Sequence, residues 1–453
     1  MTSAADITAV GLSLLDPLAP ALTRYHDLEA GGGTRVFLAA RHDVVREVLC
    51  DELTFSLRHY DELLQQIAGP VRYLVGENDG NRQLRMRQLL AAQAHVDEER
   101  GAAAQDGPPN LAPGYRAWIA AMARAEAGGI LDVLETRRRT GETINFVREY
   151  AFLLAYRMAR RIVGVPAPRK PGWFVRAVVL VRNLISPGPW VRLKGELGTA
   201  TTALTLQLPL FGHVFGTVTT SPGWIQAICR PTVRTLLDAF DEAWDMPQIG
   251  EPTSLLAGMR AVEPQFGGAA GYETQARSVL FELTGALVMI VAKVMAEIAG
   301  LAASPAGAAA GIDWDGLIAR LGNPALTAAE HDATINEMLR LVDGSRLVRT
   351  VRHDCHWRGT DLHAGDRVLV LTNCASRDPA AFPEPGRFRP DPARPYITSG
   401  PLQGPHVCYG RMMAWTILRE GLLATAGRIV PVPGARLTTF GGLPDDLRFA
   451  PAP

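Results

Sequence analysis

The sequence predicts a mainly helical fold with a small β portion near its C-terminal end. Apolar residues recur at helical spacing through most of the 453-residue chain. After Val342 the pattern changes to short alternating bursts broken by Gly359 and Gly365, which is typical of small antiparallel strands. A Pro-rich irregular stretch, residues 377–405, then leads to Cys408 and a last helical pattern.

Helical periodicity is clearest in four segments that precede the β portion. These are residues 112–136, 145–163, 271–298 and 328–342. Thr327 and Glu330 form a capping box at the start of the last segment. Two breaks rich in Pro, Gly and Ala, 102–114 and 302–311, are expected to be surface loops. Because neither break has to be a boundary, we expect a single domain over residues 1–453.

Composition and charge limit the function classes. The chain is 47% hydrophobic and 20% charged, so it can bury a large core. Lys plus Arg and Asp plus Glu are both 46, which argues against a nucleic-acid partner because such proteins normally carry a basic excess. The N-terminus lacks a basic region and contains Asp6 and Asp16, so it does not read as a signal peptide. Five cysteines without a Cys-x-x-Cys pair favour a reducing cytoplasm over a disulfide framework or zinc site.

One long segment, Leu197 to Cys229, contains no Asp, Glu, Lys or Arg. It is long enough to span a bilayer. Because it is rich in Thr and contains Gln207, Pro209 and His213, we expect a buried or lid-forming segment and no transmembrane anchor.

The surroundings of Cys408 indicate a ligand rather than a structural thiol. In "SGPLQGPHVCYGRMMAW" the cysteine lies at or just before a helix start, where the helix dipole favours a thiolate. Gly404 and Gly410 remove side chains on both sides, so a flat, bulky partner could approach the sulfur, and His406 adds a cation nearby. A thiolate beneath a planar cofactor is what a haem iron needs. For an isolated cysteine, a buried structural role would be the favoured alternative.

A charged pair upstream strengthens this interpretation. Glu337 and Arg340 lie three residues apart on one helix face. Such a pair alone is usually a solvated surface pair. Here a strand-like segment, an Arg-Asp-Pro turn, a Pro-Gly-Arg-Phe stretch and the cysteine loop follow it in order.

In this order the features resemble those of the cytochromes P-450, the haem-thiolate oxygenases. Glu337-x-x-Arg340 is similar to the family's helix-K motif, and "FPEPGRF" is similar to the segment whose arginine, here Arg387, completes a buried charge network. "RTVRHDCHWRG" is similar to the strand that carries a propionate-binding arginine, here Arg349. "GPHVCYG" is similar to the cysteine loop, which makes Cys408 the implied iron ligand.

Upstream segments extend the resemblance from about residue 35 to the end of the chain. "DGNRQLRMRQLL" resembles the family's Asp-Pro-Pro-Glu-His-x-x-x-Arg run, with Gln83 where a histidine is usual and Arg87 at the second propionate-binding position. "YRMARRIVGVP" is similar to the helix before a Gly-Val-Pro turn. The resemblance implies haem b as cofactor. The implied cofactor-binding residues are Gln83, Arg87, Arg349, Gly404, His406, Cys408 and Gly410.

Two departures from the family pattern concern the chemistry. The cysteine loop normally begins Phe-Gly, an aromatic that shields the thiolate, and Pro401 and Leu402 stand there instead. In the long central helix the family has Ala-Gly-x-(Asp/Glu)-Thr-Thr, whose acid and alcohol deliver protons during oxygen activation. The matching "VLFELTG" keeps the acid as Glu282, has Leu283 at the usual alcohol and places Thr284 one residue later.

The resemblance therefore implies the cytochrome P-450 fold, with haem between the central and C-terminal helices. It also implies oxidation of a small organic molecule, a specialised metabolite, with O2 and electrons from a ferredoxin or flavodoxin and its reductase. Glu282 and Thr284 are the candidate proton route. Because Leu283 replaces the alcohol, peroxide-dependent oxidation, rearrangement or oxidative coupling is an alternative. A catalytically silent haem-binding or partner-activating protein is a further one.

Overall fold

The computed structural model describes residues 4–28, 33–69, 80–99, 113–136, 141–164, 213–214, 218, 223–246, 253–266, 271–342, 346–397, 407–440 and 443–453. In these ranges the chain is mainly helical, with short strands arranged in small sheets, which confirms the predicted fold class. The helices are α1 (Ala4–Ser13), α2 (His42–Cys50), α3 (Arg58–Ala68), α4 (Gly80–Glu99), α5 (Pro113–Glu135), α6 (Phe152–Val163), α7 (Gly223–Asp245), α8 (Leu255–Val262), α9 (Tyr272–Ala302), α10 (Pro305–Ala310), α11 (Trp314–Leu321), α12 (Ala328–Val342), α13 (Thr372–Ala375) and α14 (Arg411–Ala424). The strands are β1 (Thr23–Arg24), β2 (Val36–Ala39), β3 (Phe55–Ser56), β4 (Ile144–Asn145), β5 (Arg346–Val351), β6 (Cys355–Trp357), β7 (Thr360–Leu362), β8 (Arg367–Leu371), β9 (Ile429–Pro431), β10 (Thr438–Phe440), β11 (Leu443–Asp446) and β12 (Arg448–Pro451).

The four helical segments that the sequence predicts are present as α5, α6, α9 and α12, and a π-helical turn precedes α6. The capping box of α12 forms as expected. The Thr327 N–H donates to Glu330 Oε2 at 2.8 Å, and the Glu330 N–H donates to Thr327 Oγ1 at 3.3 Å. Such reciprocal bonds satisfy amides that a helix start leaves without partners.

One predicted loop is wrong. Residues 302–311 contain the short helix α10, for which Ser304 is the N-cap residue and Pro305 the first helical residue. The Ser304 hydroxyl accepts from the Gly307 N–H at 3.3 Å, and Gly311 ends the helix with φ near 91°. Pro at the first position and Gly after the last one suit a short capped helix as well as a loop, so composition alone did not separate the two.

The chain folds into two compact units, each assembled from three separate segments. Unit one consists of Met1–Gln83, Phe211–Arg230 and Asp332–Cys408. Unit two consists of Leu84–Leu210, Pro231–His331 and Tyr409–Pro453. The single domain expected over residues 1–453 stays a prediction.

Unit one is organised around a five-stranded sheet of order β1-β2-β8-β5-β3. Strands β2 and β8 are parallel, and the other neighbours are antiparallel. Helix α2 packs against the sheet through Val44 and Val48, which belong to one buried cluster with Phe55, Val368 and Val370. This sheet carries Arg349 on β5.

Unit two is organised around α9, whose buried side chains form much of the core. A close approach fixes α14 against its neighbours. A Cβ built on Gly421 would lie 2.7 Å from Leu154 Cδ2 and 2.8 Å from Met295 Cε, so the glycine lets α14 approach α6 and α9. Helix α14, which follows Cys408, is therefore held in place by its packing against α6 and α9.

Within the described ranges, α9 is the one helix that is long and apolar enough to cross a membrane. Its most apolar window is 67% buried inside the protein, as in a core helix. Most of the uncharged segment from Leu197 to Cys229 lies outside the described residues, so its predicted role stays a prediction.

Candidate active site

Cys408 lies directly before a helix start, where the sequence predicts it. It is half-buried, and α14 begins three residues later at Arg411 with Gly410 as its N-cap residue. For a Cβ built on Gly410 the nearest atom is Leu283 Cδ2 at 3.8 Å, so the glycine adds open volume beside the loop. The free amides and the dipole of this helix favour a negatively charged sulfur.

All five cysteines lie within the described ranges, and none of them forms a disulfide. Burial raises the pKa of Cys229 to about 11 and also raises the pKa of Cys50 and Cys355. A thiol with a raised pKa stays protonated near neutral pH and is a poor ligand. Gly404 and His406, the predicted companions of Cys408, lie outside the described residues.

A buried cation lies on β5 of unit one. Arg349 is 3% exposed, and its Nη1 donates to the Val348 carbonyl at 3.1 Å. Its backbone is fixed by antiparallel pairing with Val368 on β8. A buried guanidinium favours a carboxylate partner, since burial strengthens charge-assisted hydrogen bonds.

The second predicted cation, Arg87, is exposed on α4. Two residues earlier, Arg85 is 5% exposed and its Nη1 donates to the Ser278 hydroxyl on α9 at 2.8 Å. Gln83 belongs to α4, and its side chain lies outside the description. The sequence prediction counts the arginine from the usual histidine position, whereas burial depends on which face of α4 packs inward.

Glu337 and Arg340 are fully buried, as the resemblance implies, with side chains 0% exposed. Arg340 Nε and Nη2 each donate to the carboxylate at 2.9 Å, which forms a bidentate pair. The carboxylate also accepts from the Arg389 N–H at 2.8 Å and from Arg394 Nη1 at 3.1 Å. Arg394 is thus the second cation on Glu337, and it is a residue that sequence reasoning missed.

The remaining contacts tie this pair to the Pro-rich stretch. Arg340 Nη1 donates to the Ser376 carbonyl at 2.9 Å and to the Pro385 carbonyl at 2.6 Å. Arg387 is the residue predicted to complete the network. Its backbone carbonyl oxygen accepts from Arg340 Nη2 at 3.0 Å. Burial, together with the charge and hydrogen bond of Glu337, raises the pKa of Tyr396 at the end of this stretch. The network therefore shapes the chain that leads to the cysteine loop.

The acid and the hydroxyl of the central helix are both half-buried. Glu282 and Thr284 lie in the middle of α9, and Leu283 between them is 2% exposed. The Thr284 hydroxyl donates to the Leu280 carbonyl at 2.8 Å. The hydroxyl hydrogen is thus used in a bond within the helix, while the hydroxyl oxygen can still accept a hydrogen bond.

The open face of α9 lies just after these residues. Val279 and Leu280, which stand where the family has its small pair, are 0% exposed. By contrast, Ala286 is exposed, and a Cβ built on Gly285 meets no heavy atom within 4 Å. Small residues therefore leave the helix surface open at 285–286, six residues or about 1.7 helical turns after Val279 and Leu280.

These residues fit a haem group. Cys408 offers a thiolate for iron and Arg349 offers a buried cation for a propionate, both within unit one. Within the described ranges, no group of three or more His, Cys, Asp or Glu side chains is placed to hold a bare metal ion.

Comparisons with known proteins agree with this geometry. The sequence model of the cytochrome P-450 family matches residues 331–419, which include Glu337, Arg349 and Cys408. Protein AknT of Streptomyces galilaeus is 28% identical over 447 residues, which are 92% of this chain and 87% of that protein.

Two solved structures show the same fold. P450BioI in complex with acyl carrier protein ligated to hexadec-9Z-enoic acid has a TM-score of 0.67 at 13% identity, covering 98% of this chain and 97% of that chain. PksS, the cytochrome P-450 of the Bacillus subtilis 168 bacillaene polyketide synthase, has a TM-score of 0.67 at 14% identity, covering 99% and 97%. The family match coincides with the stretch that carries the cysteine. Residues 331–419 therefore match the cytochrome P-450 family, and the chain has the cytochrome P-450 fold.

Proposed function

We propose that this haem-thiolate oxidoreductase oxidises a small organic molecule of specialised metabolism with O2. Electrons come from a ferredoxin or flavodoxin and its reductase. The observation that carries the proposal is the position of Cys408 at the start of α14, inside the stretch that matches the family. The similarity to PksS, which belongs to a polyketide synthase, supports a specialised metabolite as substrate. We place the protein in the cytoplasm, since five cysteines without a disulfide suit a reducing compartment.

The family's cofactor is haem b, which supplies the oxidising centre when bound. In this chain Cys408 would hold the iron, and Arg349 would neutralise a propionate. A buried propionate needs such a partner because an uncompensated buried charge is costly.

Glu282 and Thr284 would manage the protons of the reaction. Glu282 is half-buried in α9, so its carboxylate can exchange protons with water and pass them inward. The Thr284 oxygen can accept a hydrogen bond while its own hydroxyl group donates to the Leu280 carbonyl. This arrangement holds the hydroxyl oxygen in a fixed position beside Gly285.

Replacing Thr284 with valine tests this route. If the hydroxyl steadies the proton, product formed per electron should fall by about tenfold or more and peroxide release should rise, since positioned proton transfer contributes roughly 10²–10⁴-fold. The measurement is product, peroxide and electrons consumed with an oxidisable substrate and a reductase. Thr416→Val is the matched control, because the Thr416 hydroxyl makes the same type of bond on α14, to the Met412 carbonyl at 2.7 Å. Unchanged coupling in Thr284→Val would remove Thr284 from the proton route.

The leucine between the acid and the hydroxyl favours a second candidate function. Leu283 is buried and points its Cδ2 toward Gly410, so the usual alcohol position offers no hydrogen bond. Peroxide-dependent oxidation, rearrangement or oxidative coupling needs no such relay. Product formed from added peroxide or an activated substrate without any reductant would support this candidate over the first. The absence of turnover with every electron source and with peroxide would favour a catalytically silent protein.

A further prediction separates the two arginines of α4. We propose that Arg85, rather than the exposed Arg87, supplies the second cation for the haem propionates. Removing one partner of a buried charge pair costs roughly 3–5 kcal/mol. Haem should therefore dissociate from Arg85→Ala about a hundredfold faster or more, while Arg87→Ala should resemble the wild type. Transfer of haem to an excess of a haem-scavenging protein measures the dissociation rate of both variants. Faster haem loss from Arg87→Ala than from Arg85→Ala would assign the propionate contact to Arg87 instead.

A further inference from the structure

Among the described residues, one edge of the strand that carries Arg349 is only partly paired with a neighbouring strand. On one side, β5 pairs with β8 from Arg346 to Thr350. On the other side, β3 is two residues long and covers only Thr350 and Val351. The chain then leaves the sheet and enters α3 at Arg58. The backbone groups of Val348 thus face the place where β3 has already ended.

Two side chains bond to Val348 at this edge. The Val348 N–H donates to the phenolic oxygen of Tyr60 at 2.8 Å, and the Val348 carbonyl accepts from Arg349 Nη1 at 3.1 Å. Because the N–H and C=O of one strand residue point to the same side, the phenol and the guanidinium lie along the same edge. Tyr60 is 1% exposed and Val348 4%, so an amide left without a partner here would be costly.

The electrostatic environment of the phenol agrees with this proximity. Burial raises the pKa of Tyr60, while the nearby charge of Arg349 and the bond from Val348 oppose the rise. The phenol is therefore neutral near pH 7, and its oxygen is an acceptor that does not compete with an anionic ligand for the cation.

We propose that Tyr60 is a positioning residue for Arg349. Its phenol accepts from the Val348 N–H at the point where β3 has ended. It thereby holds the Val348 peptide and fixes the carbonyl oxygen that accepts from the Arg349 guanidinium. The inference rests on the proposed function, in which Arg349 binds a carboxylate of the cofactor, and it adds a residue to that site. Tyr60 itself acts through Arg349 and not on the reacting atoms.

Tyr60→Phe tests the inference, because it removes one oxygen and keeps the ring that fills the core. Loss of the bond should speed haem transfer to an excess of a scavenging protein by about three- to tenfold, the effect expected of one hydrogen bond. If the phenol acts through Arg349, this acceleration should disappear when Tyr60→Phe is made in an Arg349→Gln background. An equal acceleration in both backgrounds would show a merely structural role and overturn the inference.

Tyr150→Phe is the matched control. Tyr150 is also fully buried, and its hydroxyl donates to a backbone carbonyl, that of Gly421 on α14. Its effect on haem loss should be the same in both Arg349 backgrounds, because its hydroxyl bonds to α14.

A second readout does not depend on haem. The Val348 amide loses its acceptor in Tyr60→Phe, so its hydrogen exchange in the folded protein should accelerate by about three- to tenfold. An unchanged exchange rate would overturn the inference even in a protein with a normal thiolate spectrum. A wild-type protein without a thiolate spectrum, combined with accelerated exchange in the variant, would overturn the proposed function and leave the Tyr60–Val348 contact established.

Discussion

Cys408→Ala is expected to abolish the thiolate-type spectrum of the haem protein and nearly all oxidation chemistry. The sulfur is the one side chain that the proposal places on the iron, and alanine offers no ligand. The fold should survive, since Cys408 is half-buried and α14 is held by packing at Gly421. Haem content, the spectrum of the reduced, carbon-monoxide-bound protein and product formation are the measurements.

The control variants are Cys50→Ala and Cys355→Ala, which replace the other two half-buried cysteines. Cys50 ends α2 and Cys355 begins β6, both away from the helix start that carries Cys408, so neither should affect the spectrum. A thiolate-type spectrum that persists in Cys408→Ala and disappears in one of the controls would move the ligand to that cysteine.

Glu337→Ala is expected to destabilise the protein by roughly 3–5 kcal/mol, because it leaves Arg340 buried without its carboxylate. This approaches the whole stability of a typical domain, about 5–15 kcal/mol. Little holoprotein should be recovered. Denaturant unfolding and the yield of haem-loaded protein measure the effect.

Matched substitutions divide this network into its parts. Arg394→Ala should also destabilise, because its guanidinium lies 3.1 Å from Glu337. Arg387→Ala should have a much smaller effect, since the acceptor that it gives to Arg340 is a backbone carbonyl that alanine keeps. Glu384→Ala is the surface control, because Glu384 and Arg389 form an ion pair with both side chains more than half exposed. Normal stability of Glu337→Ala would contradict the buried network.

The cysteine helix and the Glu337–Arg340 pair could be predicted from sequence because their geometry is local. A glycine-flanked cysteine before a helical pattern and an i,i+3 pair on a helix need no knowledge of tertiary packing. Arg394 could not be predicted in this way. It reaches Glu337 through a turn in the irregular stretch, where the Arg394 N–H donates to the Asp391 carbonyl at 3.1 Å. Irregular chain carries no periodic pattern that reveals which side chain points inward.

The central helix shows a different limit of sequence reasoning. Helix α9 is apolar around most of its circumference, so periodicity does not mark the face that borders open space. The motif aligns the family's small pair with Val279 and Leu280, which are larger and buried, whereas the helix surface is open at Gly285 and Ala286. The same limit applies to α4, on which the buried arginine is Arg85 and the predicted one is exposed.

The central claim is that Cys408 binds a haem iron as a thiolate, and one spectrum tests it most directly. The purified wild-type protein, loaded with haem, reduced and exposed to carbon monoxide, should show the absorption band characteristic of thiolate ligation. Preparations with more haem should show a proportionally stronger band. A spectrum typical of histidine ligation, or no stoichiometric haem binding at all, would contradict the account.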